Sequence, residues 1–266
     1  PDVLKTHIEK CKQATDRPFG VNVPLLYPEV ESLMNMIVDL EVPIVFTSAG
    51  NPKAWTSYLK DKGIVVTHVV SNVKFAKKCQ EAGVDAIVAE GFEAGGHNGR
   101  EETTTLCLIP MVRDAVEVPL LAAGGIGDGR GMLAAMALGA EGVQIGSRYA
   151  ISEESSAHQI FKEKVIESVE GDTVLTLKQL TPVRLIKNSF YNQIVEADKS
   201  GAPPEKYIEI LGKRRSKKGI FEGDLEEGEL EIGQISAAIQ EIKPAGQITQ
   251  DIWEEFLKQK RILAER

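Results

Sequence analysis

Histidine is the side chain whose proton exchange lies nearest neutral pH, and one histidine here stands inside a run of glycines. The stretch reads Glu90-Gly91-Phe92-Glu93-Ala94-Gly95-Gly96-His97-Asn98-Gly99-Arg100. It directly follows Asp85-Ala86-Ile87-Val88-Ala89, an apolar run that reads as a buried parallel strand. Glycine lets a backbone take positive φ and approach a ligand closely. A strand end, a glycine loop and an imidazole suit proton transfer in an α/β enzyme, which makes His97 the candidate catalytic residue. Glu93 stands near enough to orient His97 or to cap a turn.

Two later glycine clusters point to a second kind of chemistry. They are Ala122-Ala123-Gly124-Gly125-Ile126 and Gly142-Val143-Gln144-Ile145-Gly146-Ser147. Amides unobstructed by side chains can hold a phosphate, and Ser147 adds a hydroxyl. Gly125-Ile126-Gly127 is not a dinucleotide fingerprint, because Arg130 occupies the third glycine position. His68 lies inside a strand pattern and reads as packing, whereas His7 and His158 read as surface residues. Glu101-Glu102 read as the polar start of a helix, and Arg148 as the structural partner of a carboxylate.

These residues need a scaffold, and the sequence supplies a repeating one. From residue 18 to residue 160 short apolar strands alternate with amphipathic helices. Phe19–Pro24 leads to Glu29–Leu40, whose Leu33, Met34, Ile37 and Val38 share a face. Pro43–Thr47 leads to Lys53–Lys62, and Ile64–Val70 to Val73–Ala82. Ala86–Ala89 leads through the glycine loop to Leu106–Val116. Leu120–Ala123 leads to Gly129–Leu138, and Val143–Ile145 to a helix near Ser155–Ser168. This alternation implies right-handed βαβ crossovers and a parallel sheet, either doubly wound or most of a barrel.

The glycines favour a barrel, since TIM barrels place phosphates on the loops after strands 7 and 8. The expected fold is therefore an α/β TIM barrel in which the visible strands are strands 3 to 8, the first two lying outside this sequence. Residues 1–170 form the barrel part and 171–266 a C-terminal helical extension. In that extension Ile194–Asp198, Tyr207–Leu211, Ile235–Ile242 and Ile252–Ile262 have helical periodicity. Gly219–Gly233 reads as an acidic surface loop, and the whole tail as a lid or dimer element at the barrel mouth.

Composition narrows the partners. A chain of 266 residues can form one large core, as barrels of about 250 residues do. Net charge −8 disfavours nonspecific nucleic-acid binding. Lys213-Arg214-Arg215-Ser216-Lys217-Lys218 is the one basic cluster and reads as a solvated loop. Cys11, Cys79 and Cys107 form no Cys-x-x-Cys, so neither a metal site nor a disulfide framework is expected, and reduced cytoplasmic thiols are. No apolar run reaches the about 18 residues of a membrane helix, and no signal peptide is visible.

Pro18-Phe19-Gly20-Val21-Asn22, the Glu93–Gly99 loop, Ala122–Ile126 and Gly142–Arg148, with Pro182-Val183-Arg184 and Gly233-Gln234, together resemble the nitronate monooxygenase family. That family was formerly called 2-nitropropane dioxygenase, and enoyl-acyl carrier protein reductase II is a close relative. The resemblance implies a TIM barrel that binds FMN at the C-terminal ends of its strands. It implies that Asn22 hydrogen-bonds the flavin ring or substrate region, that Thr67 and His68 flank a position where the family often contacts the ring, and that Thr67 is a cofactor-binding residue. Glu90, Gly95 and Gly96 would line the flavin side of the pocket. Gly124, Gly125, Gly146 and Ser147 would hold the FMN phosphate through amides and one hydroxyl without a metal, Ala123 is a further cofactor-binding residue, and His97 matches the histidine that contacts the reacting group.

The function so implied is oxidation of alkyl nitronates by oxygen to carbonyl compounds and nitrite. The alternative is an NAD(P)H-dependent FMN reductase of enoyl thioesters or quinones. A reading of another class is a catalytically silent flavin- or phosphate-binding scaffold. The expected partners are a small-molecule substrate, NAD(P)H in the second reading and a second copy of the chain, with no nucleic acid and no membrane.

Overall fold

The computed structural model describes residues 1–265. Helix α1 (Asp2–Ala14) precedes strand β1 (Gly20–Pro24), and α2 (Val30–Asp39) leads to β2 (Ile44–Ser48). A 3-10 turn at Pro52–Ala54 and α3 (Thr56–Lys60) lead to β3 (Val65–Val70). Next come α4 (Val73–Glu81), β4 (Ala86–Glu90), β5 (Gly96–His97) and α5 (Thr105–Arg113). They are followed by β6 (Leu120–Ala123), α6 (Gly129–Ala137), β7 (Gly142–Gln144), α7 (Ser147–Ala150) and α8 (Gln159–Ile166). The rest comprises β8 (Thr173–Thr176), β9 (Val183–Ile186), α9 (Ser189–Lys199), α10 (Pro204–Leu211) and α11 (Ala245–Ala264).

Six strands form one sheet in the order β1-β2-β3-β4-β6-β7. The registers of β1 with β2, β2 with β3, and β3 with β4 are parallel. The Ile87 amide donates to Pro119 and the Gly91 amide to Ala123, each at 2.9 Å, so β4 and β6 also advance together. The order never reverses, as it must at the switch point of a doubly wound sheet. This is the α/β strand order of the TIM-barrel class, as the sequence predicts.

The chain divides into two compact units, one of residues Pro1–Ala89 and Pro110–Leu121, the other of Glu90–Ile109 and Ala122–Arg266. The expected division at residue 170 falls inside the second. In the first, Met34 and Ile37 of α2 and Val45 of β2 are fully buried, each contributing about 1.5–3 kcal/mol of apolar burial. Asn72 caps α4 by accepting the Phe75 amide at 2.8 Å. In the second unit, Asp128 caps α6 through the Gly131 amide at 2.8 Å. A Cβ added to Gly129 would lie 2.3 Å from the Phe256 nitrogen, so α11 packs on α6 at backbone distance.

The C-terminal segment is more than helical. Strands β8 and β9 pair antiparallel and β9 pairs antiparallel with β5, giving a small sheet in the order β5-β9-β8. The periodic run at Ile235–Ile242 forms only a 3-10 turn, Gln234–Ala238. The acidic segment before it is no surface loop, because Glu229, Leu230 and Ile232 are buried. Nor is the basic cluster wholly solvated: Arg215 pairs with Glu227 at 2.8 Å and lies over the Phe190 ring.

Candidate active site

The second unit brings the glycine clusters together. Glu90, Gly95, Ala123, Gly124, Gly125, Gly146 and Ser147 line one cavity of about 190 Å³, with Gln144, Glu231 and Ile232 among its other walls. Gly124 and Gly125 have φ of 91° and 70°, a conformation that only glycine adopts freely. Gly124 is also packed against the opening loop, since a Cβ there would meet the Gly91 oxygen at 2.7 Å. At Gly146 a Cβ would meet no atom within 4 Å, so that position opens onto free space.

Ser147 accepts the Gly233 amide at its Oγ, at 2.9 Å. That leaves its own hydroxyl hydrogen to donate. The same seam is closed by the Gln234 amide, which donates to the Glu93 carbonyl at 2.9 Å. It is tight: a Cβ on Gly95 would lie 2.4 Å from the Ile232 carbonyl carbon. Glycine backbone and one hydroxyl around a cavity of this size suit a phosphate ester, so the residues present fit the phosphate end of a flavin nucleotide.

His97 stands on β5, opposite Val183 of β9. It does not line the cavity, but follows Gly96, which is buried beside it. Its imidazole is solvent-accessible, yet the protein packed against it disfavours the charged form and lowers its pKa below 6.5. The neutral ring is therefore the resting form at pH 7. The loop bearing it is tied down by Asn98, whose Nδ2 donates to the carbonyls of Ala94 and Gly96 at 2.8 and 3.1 Å.

Glu93 does not orient His97. Its carboxylate accepts the Thr105 amide at 2.9 Å and lies 3.0 Å from Thr105 Oγ1, holding the start of α5. The Glu101-Glu102 pair is not that start, for α5 begins at Thr105, and Glu102 instead pairs with Lys178. Arg148 donates to the Glu241 carbonyl at 2.8 Å rather than to a carboxylate.

Two expected site residues belong to the first unit. Asn22 is exposed on β1, and Thr67 is buried on β3, where its carbonyl accepts from Thr47 Oγ1 at 3.3 Å. The neighbouring His68 is buried, with Nδ1 2.7 Å from the same hydroxyl, which accords with packing. The residue that sequence reasoning missed is Glu231. The signal was present in Glu229-Leu230-Glu231-Ile232, an alternation of acid and apolar residues that marks a strand-like segment. Among the described residues no His, Cys, Asp and Glu cluster could hold a metal, and no helix is long and apolar enough to cross a membrane.

Comparison with known proteins bears on this arrangement. The nitronate monooxygenase family model matches residues 29–255. A probable nitronate monooxygenase of Staphylococcus saprophyticus is 35% identical over 208 residues, covering 72% of this chain and 58% of that protein. The chain thus spans less than two thirds of that relative's length. Among solved structures, FabK from Thermotoga maritima superposes with a TM-score of 0.91 at 41% identity, covering 100% of this chain and 84% of that one. A nitroalkane oxidase from Streptomyces ansochromogenes superposes with a TM-score of 0.80 at 25% identity, covering 98% and 87%. Strands β2 to β7, the glycine-lined cavity and the histidine loop all lie within the matched span, and the chain belongs to the nitronate monooxygenase family.

Proposed function

We propose that the chain is the FMN-binding part of an oxidoreductase that oxidises alkyl nitronates with oxygen, releasing a carbonyl compound and nitrite. The observation that carries this reading is the cavity in which Gly124, Gly125, Gly146 and Ser147 come together with Gly95, the residue directly before the strand that bears His97. The amides of Gly124, Gly125 and Gly146 and the Ser147 hydroxyl would hold the phosphate, with Ala123, Gly95, Gly96 and Glu90 against the rest of the nucleotide. Asn22 and Thr67 are proposed contacts of the flavin ring. A bound FMN supplies the redox chemistry, and the protein supplies binding and orientation.

His97 donates from its neutral N–H to the nitro oxygens, and its unprotonated nitrogen removes the α-proton when the substrate is a neutral nitroalkane. Two nitronates and one O2 give two carbonyl products and two nitrites, each carbonyl taking one oxygen atom of O2 as its carbon–nitrogen bond breaks. The test is nitrite release from a nitronate by flavin-loaded protein under air. Release no greater than that of His97→Ala sinks the reading.

The similarity to FabK, at 41% identity, supports a second reading, an NAD(P)H-dependent reduction of an enoyl thioester or quinone. There the His97 N–H would stabilise charge developing on the acceptor carbonyl. Rapid NAD(P)H oxidation with crotonyl thioester, without nitronate turnover, decides for it. A silent scaffold is excluded by either turnover. A reducing cytoplasmic setting suits the three unpaired cysteines, and light scattering of the purified chain tests a homodimer.

A further inference from the structure

The cavity that gathers the glycines is also lined by two glutamates. Glu90 stands at the end of β4 and Glu231 in the segment that follows Gly228. Among the described residues no lysine or arginine side chain lines it. A phosphate dianion beside an ionised carboxylate is disfavoured. Protonation of the carboxyl removes that repulsion and turns it into a hydrogen-bond donor.

Glu231 is held in place for such a role. Leu230 and Ile232 on either side of it are buried at 1% and 3% exposure. Its backbone bridges antiparallel to Leu185, and the Ile186 amide donates to the Leu230 carbonyl at 2.9 Å. Two residues on, the Gly233 amide reaches Ser147 Oγ, a donor already assigned to the phosphate. The carboxyl lies against the loop, for a Cβ on Gly96 would be 3.1 Å from Glu231 Oε2.

We propose that Glu231 is a direct contact of the phosphoryl end of the flavin nucleotide, donating a hydrogen bond from its protonated carboxyl, so that nucleotide binding takes up a proton. This rests on the FMN reading above. The ionisable groups around it agree. Burial, with the charge of Glu229, raises Glu231 to about 7 against the opposing Ser216 hydroxyl, and burial raises Glu90 to about 7. His97 on β5 is neutral, and Arg184 on β9 spends its guanidinium on the Phe92 carbonyl.

The test measures FMN affinity of the full chain by flavin-fluorescence quenching between about pH 6 and about pH 8.5, with proton uptake read by calorimetry in two buffers of different ionisation enthalpy. The phosphate's own ionisation is nearly complete above about pH 7. The expected result is affinity that falls above that pH, by up to about tenfold per pH unit for each carboxyl. Glu231→Gln should remove about one proton of uptake, and riboflavin, which lacks the phosphate, should show no such slope. A Glu231→Gln slope equal to the wild type's, or the same slope with riboflavin, overturns the contact and leaves the FMN reading standing. A wild-type chain that binds no FMN at any pH removes that reading itself. Should Glu231→Gln fail to fold, Glu231→Asp carries the test: it should keep the proton uptake and weaken affinity, and unchanged affinity overturns the contact.

Discussion

Arg184 lays its guanidinium over the ring of Phe92, 4.5 Å from the centroid, and turns Nε and Nη2 onto the Phe92 carbonyl oxygen at 3.1 and 3.0 Å. The side chain is 1% exposed, and its charge is met by a carbonyl and an aromatic face. Gly96 is the cross-strand partner of Arg184 in the β5–β9 register. One residue of β9 therefore fixes both ends of the glycine loop, and with them the place of His97.

Removing that clamp should cost stability and activity together. Hydrogen bonds to a charged group contribute about 1.5–3 kcal/mol each, so Arg184→Ala should destabilise by on the order of 3 kcal/mol in urea denaturation. Arg184→Lys keeps a charge but has no planar fork to bridge ring and carbonyl. It should fold, and should lose turnover by more than it loses FMN affinity. Equal losses would show that the clamp shapes the nucleotide site rather than the position of His97.

The alternation of strands and helices was legible because buried parallel strands leave continuous apolar runs and their helices leave a period of 3.6. The glycine loop was legible because closely approaching backbones exclude side chains: Gly95 and Gly124 have no room for a Cβ. Strands β8 and β9 were not legible. They are only four residues long, and β9 carries a buried arginine, which no apolar pattern announces. Glu231 was hidden by composition. The run Glu226-Glu227-Gly228-Glu229 before it resembles solvent-facing sequence, and only the bridge of Glu231 to Leu185 of β9, with Leu230 and Ile232 in one core cluster with Phe161 and Ile186, turns the following residues inward. Asn22 and Thr67 entered only by resemblance to a family, since nothing in their spacing ties them to the glycines.

Two glycine substitutions should separate folding from binding. At Gly95 a Cβ would fall 2.4 Å from the Ile232 carbonyl carbon and 2.5 Å from the Gly233 nitrogen. Those atoms are backbone and cannot step aside, so Gly95→Ala should destabilise by about 1–3 kcal/mol, as overpacking does. At Gly146 the added methyl meets nothing and φ is −97°, which alanine accepts. Gly146→Ala should leave stability within about 0.5 kcal/mol while weakening FMN binding. Thermal melts with flavin titrations check both. Unchanged FMN affinity in Gly146→Ala would remove Gly146 from the phosphate site.

His97 should show its role in a pH profile. Desolvation holds its pKa below 6.5, so the base form persists to more acidic pH than a free imidazole allows. Turnover of a neutral nitroalkane, which needs that base, should fall on an acidic limb whose midpoint lies below 6.5. Turnover of a pre-formed nitronate needs no proton removal and should lack the limb. His97→Gln, which keeps an amide donor, should retain part of the nitronate activity and lose the nitroalkane activity. Identical profiles for the two substrates would exclude His97 as a base.

Acid stability should be governed in part by His68, on β3 of the first unit. Burial lowers its pKa from 6.5 to about 4, so the unfolded chain binds its proton more readily than the folded one. The stabilisation is thus complete above pH 6.5 and is lost as pH falls through about 4. The shift corresponds to a loss on the order of 3 kcal/mol across that window. Glu90 and Glu231 act in the opposite sense: raised to about 7 in the fold, they favour the native state at low pH and lose that contribution as pH rises through 7. A comparison of wild type with His68→Gln cancels the carboxyls, which both proteins share. Wild-type stability, measured by urea denaturation from about pH 7 to about pH 4, should drop relative to the variant as the solution is acidified. Parallel curves would mean that the imidazole charges inside the fold without penalty, and that its contact with Thr47 carries a proton in the native state.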